Sequence, residues 1–163
     1  MASRGPEEGS MKNIITAREI TIEDRVAIWD WRKDHSRFKV YLPKINVSWK
    51  MHCDWFQELL DNPEITACVA VMETLRIAAL RFDHSAANRY RLSVLLKPAY
   101  CGKDLMPNLF AASAAFARET MGAGELTINQ LELRSCAPRV LTAFGFKITT
   151  EGTGELLMSI GGN

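Results

Sequence analysis

Three side chains in this sequence are candidates for acid–base chemistry. His52 is the strongest of them, because imidazole titrates near neutral pH and this residue lies between Trp49 and Trp55 on a predicted helix. It is a candidate general base, although a histidine beside tryptophans also serves as a structural or substrate-orienting group. Glu132 and Asp83 each follow a predicted strand, and each either holds a water that relays a proton or is an ordinary surface carboxylate.

A neighbouring pair of residues is better suited to binding than to proton transfer. Trp31 and Arg32 are adjacent on an earlier predicted helix. Indole stacks on flat groups, and a guanidinium binds phosphate through two parallel hydrogen bonds. Together with His52 and Asp83 they form the predicted substrate-contacting set. The alternative is that Trp31 belongs to the core and that Arg32 is its solvated neighbour.

The stretch 92–120 has the organisation of an anion-binding segment. An apolar strand ends at Lys97-Pro98, a short loop carries Gly102, and an alanine-rich helix begins near Leu105. The first amides of a helix have no acceptor within it, and the helix dipole favours negative charge there. A pyrophosphate is therefore the predicted guest of this segment.

The loop before that helix also contains a residue that disfavours binding of a pyrophosphate. Asp104 is predicted to cap the helix, and its carboxylate would then lie where a phosphate binds. Two like charges ~4 Å apart at a protein surface repel by up to roughly 4 kcal/mol. Pro107 removes one amide donor, whereas Lys103 supplies a positive charge.

The elements that must position these residues follow the order β-α-α-β-β-β-α-β-α-β-β. The predicted strands cover 14–20, 65–72, 75–82, 90–96, 126–131, a segment beginning at 145, and 155–160. The predicted helices follow Thr21, open at Ser48, begin near Leu105 and cover 135–143. This order predicts one α/β domain with a mixed central sheet flanked by helices.

Two details of the predicted secondary structure concern the candidate site residues. One face of the second helix is predicted to carry five apolar residues at helical spacing: Met51, Trp55, Phe56, Leu59 and Leu60. The segment 83–88, which contains Asp83 and His84, is predicted to be a turn between strands. Both details determine which side chains face a substrate.

Composition excludes several classes of protein. The chain has 163 residues, 47% of them hydrophobic, and a net charge of +1, so nothing indicates a nucleic-acid partner. Four scattered cysteines and three dispersed histidines predict no metal site and no disulfide scaffold, and they favour reduced thiols in the cytoplasm. No apolar stretch approaches the roughly 20 residues that span a bilayer. Residues 1–11 are predicted to be a disordered leader and 12–163 the domain.

Three parts of the chain, together with the element order, resemble the GCN5-related N-acetyltransferases, a family of acyl-CoA-dependent transferases. They are the head, with Trp31-Arg32-Lys33-Asp34 followed by Ser48, His52 and Trp55-Phe56; the segment 92–120 with Gly102-Lys103; and the segment 126–147, which closes on Gly145-Phe146. The head is similar to the subgroup that acetylates the 4-amino group of a nucleotide-linked deoxy-sugar in pseudaminic acid synthesis for flagellin glycosylation.

The resemblance implies acetyl-CoA as the acyl donor. In the family the fourth strand splays from the fifth, and its main chain binds the pantetheine arm, which implies Val94, Leu95 and Leu96 here. The following loop wraps the pyrophosphate with backbone amides, and the matching positions are Cys101, Gly102, Lys103, Asp104, Leu105 and Met106. Asn129 is implied in binding the pantetheine or substrate amide, and Arg134 in reaching a CoA phosphate.

The chain departs from the family pattern at several positions. Cys101, Asp104 and Met106 replace the signature residues of the pyrophosphate loop, and Leu141 stands where the family commonly has a tyrosine acid. Cys101 in place of a cation removes a charge-assisted phosphate contact. These departures favour a rival interpretation, in which the protein is a catalytically silent binding or regulatory module. A third interpretation is a transferase that uses an acyl carrier protein.

The leading interpretation is an acyl-CoA-dependent N-acyltransferase that acetylates a primary amine. The head motif favours a nucleotide-linked amino-sugar as the small-molecule acceptor. The strands near the C terminus are candidates for pairing across a homodimer.

Overall fold

The computed structural model describes residues 14–37, 47–100, 105–129, 142, 147–150 and 155–160. The strands are β1 (Ile15–Glu19), β2 (Ile65–Met72), β3 (Leu75–Ala86), β4 (Arg89–Leu96), β5 (Glu125–Asn129), β6 (Lys147–Thr150) and β7 (Glu155–Ser159). The helices are α1 (Arg25–Arg37), α2 (Trp49–Asp61) and α3 (Met106–Met121), with 3-10 turns at Ile22–Asp24 and Pro98–Tyr100. Most of the helix predicted over 135–143 lies outside the described residues.

The described strands form one mixed sheet in the order β1-β2-β3-β4-β5-β7-β6. Strands β1 to β4 pair antiparallel with their neighbours in the chain, whereas β4 and β5 run parallel. Strand β7 lies between β5 and β6 and pairs antiparallel with both. The predicted fold class, a mixed sheet flanked by helices, is confirmed. The placement of β7 inside the sheet, with β6 at its edge, was not part of the prediction.

Helices cover both faces of the sheet. On one face α3 packs through Met106, Leu109, Phe110 and Ala114, against strand residues that include Phe82 and Leu92. On the other face α1 and α2 contribute Ile28, Trp31, Phe56 and Leu59 to a second cluster with β2. Successive side chains of a strand point to opposite faces, so Leu92 and Leu95 of β4 contact different clusters.

Helix α2 begins where the sequence predicts but turns a different face inward. The Ser48 side chain accepts a hydrogen bond from the Met51 amide at 3.1 Å, which confirms the predicted N-cap. The buried stripe, however, consists of His52, Phe56 and Leu59, while Met51 is 51% exposed and Leu60 36%. The prediction that Met51 and Leu60 share the inward face is wrong. The imidazole occupies a place in that stripe because its polar atoms find partners on α1.

Strand β3 is longer than predicted. It continues through Asp83 to Ala86, so the prediction that a turn begins at Asp83 is wrong, and the turn is confined to Ala87 and Asn88. The polar end of the strand is held by pairing with β4, in which Asp83 lies opposite Arg91. Cross-strand pairing therefore outweighs the low strand propensity of these residues.

Helix α3 begins one residue later than an Asp104 cap would require. Its N-cap is Leu105, with no side-chain hydrogen bond to the first turn, so the prediction of Asp104 as N-cap is wrong. Pro107 occupies the first turn, as helices tolerate. The predicted glycine stop is confirmed, since Gly122 has a φ of 67° in the left-handed region.

A buried carboxylate joins β1, the first 3-10 turn and β3. Asp24 is fully buried, accepts the Thr21 amide at 2.8 Å and forms ion pairs with Arg18 and Arg76 at 2.8 and 2.7 Å. Burial alone would raise the pKa of Asp24, but these hydrogen bonds outweigh it and hold the pKa well below its ordinary range. This junction fixes the chain entering α1, which carries Arg32.

None of the helices in the described ranges is both long enough and apolar enough to cross a membrane.

Candidate active site

Strands β4 and β5 lie side by side at their amino-terminal ends. They pair in parallel from Arg89 opposite Glu125 to Leu92 opposite Ile128, and no pair follows among the described residues. Their first residues are tied together by an ion pair between Arg89 and Glu125 at 2.8 Å. The Asn88 carbonyl also accepts the amides of Gly124 and Glu125. Strand β4 continues for four residues beyond the last pair, to Leu96, whereas the structure describes β5 for only one residue beyond it, Asn129.

The pairing of β4 with β3 determines which main-chain groups of β4 beyond Leu92 point away from β3. Antiparallel pairs alternate between residues that exchange hydrogen bonds and residues that do not. The Lys97 amide donates to the Ile77 carbonyl at 2.8 Å, and Leu95 opposite Ala79 has the same phase. The amide and carbonyl of Leu95 therefore point to β3, whereas those of Val94 point to the opposite edge of β4, the edge on which β5 pairs.

A pocket of about 210 Å³ lies beside the carboxyl-terminal half of β4, on the face of the sheet that α1 and α2 cover. Its lining comes from both helices and from three strands: Ile20, Ile28, Arg32, Trp55, Leu59, Ala67, Ala79, Leu80, Arg81, Ser93, Val94 and Leu95. Most of these side chains are apolar, and the charged ones are Arg32 and Arg81. The pocket residues of β4 follow the last pair that this strand forms with β5.

Arg32 is held by two neighbours from α2. Its guanidinium carbon lies 4.4 Å from the centroid of the Trp55 ring, and its Nη1 donates to Nδ1 of His52 at 3.0 Å. Among the described residues no carboxylate forms an ion pair with it. Burial lowers the pKa of Arg32, yet a guanidinium stays charged at neutral pH. The pocket therefore contains a half-buried cation whose charge no described side chain neutralises.

His52 is fully buried between the two helices. Its Nε2 lies 2.9 Å from the Arg25 carbonyl oxygen, and rings surround it with centroids 5.2 to 6.0 Å away, those of Trp29, Trp49, Trp55 and Phe56. Burial, aided by the nearby Arg32 and Arg25 guanidinium groups, lowers the pKa of His52 below its ordinary value, although the bond to the carbonyl opposes this. His52 is therefore neutral at neutral pH, with both ring nitrogens bonded inside the protein.

Asp83 is also engaged by a neighbour. Arg81 Nε contacts both carboxylate oxygens of Asp83, at 3.1 and 2.9 Å, and Arg81 Nη2 contacts Oδ1 at 2.8 Å. Both residues lie on the pocket face of β3 and are about one-third exposed. The carboxylate neutralises Arg81, which leaves Arg32 as the uncompensated charge of the described pocket lining.

The other predicted site residues are distributed between the core and segments that the structure leaves undescribed. Trp31 is 5% exposed and belongs to the core cluster beneath α1. Leu105 and Met106 are buried as well, so only their main chain is available to a ligand. Outside the described residues, or without a described side chain, are Cys101, Gly102, Lys103, Asp104, Asn129, Glu132, Arg134 and Leu141.

Sequence reasoning overlooked several residues that line the pocket. Trp55 was placed in an apolar stripe, but its ring supports Arg32. Arg81 and Ser93 lie opposite each other on β3 and β4 and point to the same side. The signal for Arg81 was present, since a charged residue interrupts the apolar run 77–82 at a position that shares its face with Ala79 and Asp83.

A metal centre has no support in the described part of the chain, which contains no group of three or more histidine, cysteine or acidic side chains able to hold an ion.

Several solved structures share this architecture. The Campylobacter jejuni N-acetyltransferase PseH in complex with acetyl coenzyme A matches at a TM-score of 0.64 and 14% identity, covering 88% of this chain and 96% of that one. A Vibrio cholerae spermidine N-acetyltransferase in complex with CoA and spermine matches at 0.67 and 9%, covering 89% and 92%. A domain from Methanocaldococcus jannaschii matches at 0.63 and 16%, covering 88% and 96%.

No protein-family model and no curated protein sequence matches the chain. At identities this low the structural likeness establishes the fold, which is that of the N-acetyltransferases named above, and nothing further.

Proposed function

We propose that this protein is an acyl-CoA-dependent N-acyltransferase that transfers an acetyl group from acetyl-CoA to a primary amine on a nucleotide-linked amino-sugar. The observation that carries the proposal is the pocket lined by Ser93, Val94 and Leu95 of β4 and by Arg32, whose charge no described side chain neutralises. An extended thioester arm is proposed to lie along β4 beyond Leu92, and the acceptor is proposed to lie in the pocket beside it. The protein would act in the cytoplasm.

The donor is proposed to lie along β4. The main-chain amide and carbonyl of Val94 point away from β3 and suit the amide groups of a pantetheine arm, with Leu95 and Leu96 flanking the thioester. The pyrophosphate would lie at the start of α3, where the amides of Met106 and Asn108 have no acceptor within the helix. The loop 101–104, with Asn129 and Arg134, completes the proposed donor site.

The charge of the pocket supports an anionic acceptor. The Vibrio cholerae enzyme was solved with spermine, a polycation, whereas the pocket of this chain is lined by Arg32 and Arg81. Asp83 is already bonded to Arg81, so a polyamine would find no available carboxylate on this lining and would meet the positive charge of Arg32. A guanidinium that stacks on an indole, and whose N–H groups no described side chain other than His52 engages, suits a phosphate group, as in a nucleoside diphosphate sugar.

The reaction is proposed to be direct attack of the amine on the thioester. The nitrogen lone pair forms the new bond to the carbonyl carbon, the carbon–sulfur bond breaks, and the amine proton passes to a base. Glu132 is the proposed base, because the carboxylate of Asp83 is held by Arg81 and both nitrogens of His52 are bonded. Leu141 has no proton to donate, so the departing thiolate takes its proton from water.

The first test is calorimetry with acetyl-CoA, followed by an assay of thiol release with a nucleotide-linked amino-sugar. Saturable binding at sub-millimolar cofactor and acceptor-dependent thiol release are expected. Absence of binding would contradict the proposal.

The second candidate function is a catalytically silent module with the same fold, favoured by Cys101, Asp104 and Leu141 at the donor site. In that case the double change Cys101→Arg and Asp104→Gly should create acetyl-CoA binding that the parent chain lacks. If the parent binds as tightly as the variant, this candidate is wrong. Activity with an acylated carrier protein, but not with acetyl-CoA, would instead identify a different acyl donor.

A further inference from the structure

We propose that His52 is a positioning residue, which holds the Arg32 guanidinium in its anion-binding orientation by accepting a hydrogen bond at Nδ1. This role rests on the proposed function in one respect, because it takes the ligand of Arg32 to carry a phosphate group. The geometry of the histidine itself does not depend on that guest.

The two hydrogen bonds of His52 determine its tautomer. A guanidinium only donates hydrogen bonds, so Nδ1, which lies 3.0 Å from Arg32 Nη1, must be the acceptor. A carbonyl oxygen only accepts, so Nε2, at 2.9 Å from the Arg25 oxygen, must carry the hydrogen. The imidazole is therefore neutral and protonated at Nε2, and its single lone pair already has a donor.

This arrangement distinguishes positioning from proton transfer. A general base needs a lone pair within reach of the substrate proton, and the lone pair of His52 is directed at Arg32 inside a fully buried ring. Arg32, in contrast, lines the pocket and uses one of its five N–H groups on His52. The histidine therefore acts on a ligand through the arginine.

The surroundings of the ring make the orientation of Arg32 depend on the charge of His52. Among the described residues, the charged groups that face it are Arg25 and Arg32 of α1, and its neighbours on α2 are the aromatic rings of Trp49, Trp55 and Phe56. Protonation at Nδ1 would replace the acceptor by a donor and place a third cation between two guanidinium groups. Arg32 would then lose its bond and be repelled from its position.

Two substitutions separate the two ring nitrogens. In His52→Asn the amide oxygen hangs from the same carbon as Nδ1 and can accept from Arg32, while the bond to Arg25 is lost. In His52→Gln the longer side chain reaches the Nε2 position and can donate to the Arg25 carbonyl, while Arg32 loses its acceptor. The pair is matched in chemistry, and neither side chain titrates.

The ligand probe is UDP-N-acetylglucosamine, whose pyrophosphate diester does not titrate near neutral pH, and binding is measured by calorimetry. His52→Gln should weaken binding by about tenfold or more, since a hydrogen bond to a charged group is lost, and His52→Asn should weaken it much less. Wild-type affinity should fall as the pH drops through the pKa of His52, which lies below the ordinary histidine value of 6.5, and His52→Asn should not show this fall. Acetyl-CoA binding should be the same in all three proteins.

Equal losses of probe affinity in both variants would overturn the proposal. A fall in affinity at acidic pH that persists in His52→Asn would also overturn it. If the variants do not fold, as judged by thermal unfolding, the wild-type protein decides through the nitrogen-15 NMR spectrum of its histidines. The expected result is a His52 ring protonated at Nε2 at neutral pH, and a ring protonated at Nδ1 would overturn the proposal. If the probe does not bind at any pH but His52 has the expected tautomer, the result counts against the proposed acceptor. It still supports the inference that His52 positions Arg32.

Discussion

Leu92 of β4 and Ile128 of β5 are the last residues at which the two parallel strands of the described sheet pair. Both side chains are fully buried. Beyond Leu92, the main-chain amide and carbonyl of Val94 point away from β3. These main-chain groups are the basis of the proposed donor site.

A proline at position 94 should test the donor site directly. The Val94 amide points away from β3 and takes no part in the pairing with that strand. Val94→Pro should therefore retain the fold and lose acetyl-CoA binding, since proline lacks the donor. The matched control is Leu95→Pro, which removes an amide that pairs with Ala79. That variant should unfold at a clearly lower temperature. Calorimetry and thermal unfolding measure both effects, and tight acetyl-CoA binding by Val94→Pro would contradict the assignment.

Replacing Arg32 should weaken binding of the acceptor and leave binding of acetyl-CoA unchanged. Arg32→Lys keeps a charge but loses the planar fork and much of the contact with Trp55, so affinity for a nucleotide-sugar should fall by roughly 10- to 100-fold, equivalent to about 1.5–3 kcal/mol. Lys50→Ala is the control, because Lys50 is an exposed cation on the surface of α2. It should leave both affinities unchanged. Equal binding of the nucleotide-sugar by Arg32→Lys and wild type would contradict the assigned role.

Trp31 of α1 and Trp55 of α2 should respond differently to truncation. Trp31 is a core residue, and Trp31→Ala should lower the free energy of unfolding by about 3–5 kcal/mol. Trp55 lines the pocket and supports Arg32, so Trp55→Ala should mainly weaken acceptor binding. Chemical denaturation and calorimetry on both variants compare the two effects. If Trp31→Ala were stable but defective in acceptor binding, the core assignment would be wrong.

The carboxylate of Asp24 should make the free energy of unfolding depend on pH in the acidic range. Its pKa is lower in the folded protein than in the unfolded chain, so its contribution is present above the unfolded value of about 3.9 and is lost as the pH falls below it. Asp24→Asn should remove this part of the acid dependence and cost about 2 kcal/mol at neutral pH, a moderate value because Arg18 and Arg76 are about 40% exposed. Denaturation at several pH values measures both.

The control for Asp24 is Asp54→Asn. Asp54 forms an exposed pair with Lys50 on α2, and such pairs contribute little to stability. This variant should therefore unfold like the wild type at every pH. A comparable loss in both variants would show that the junction of β1, the 3-10 turn and β3 is not specially stabilised.

Local patterns in the sequence predicted most elements correctly. Ser48 as N-cap, Gly122 as helix stop and the hairpin of β2 and β3 each depend on chemistry within a few residues. The errors arose where distant contacts outweigh local preference. Asp83 lies within β3 because β4 pairs with it, and His52 lies in the inward stripe of α2 because α1 supplies partners for its nitrogens.

The sequence by itself determined the order of the described elements, the caps at Ser48 and Gly122 and the candidates for chemistry, because these follow from residue type and spacing. Only the tertiary structure decided that β7 lies between β5 and β6, that Trp31 is buried while Trp55 lines the pocket, and that Arg32 bonds to His52. These relationships join residues from different elements. No periodicity within one segment encodes them, since they depend on how separate hydrophobic faces pack against one sheet.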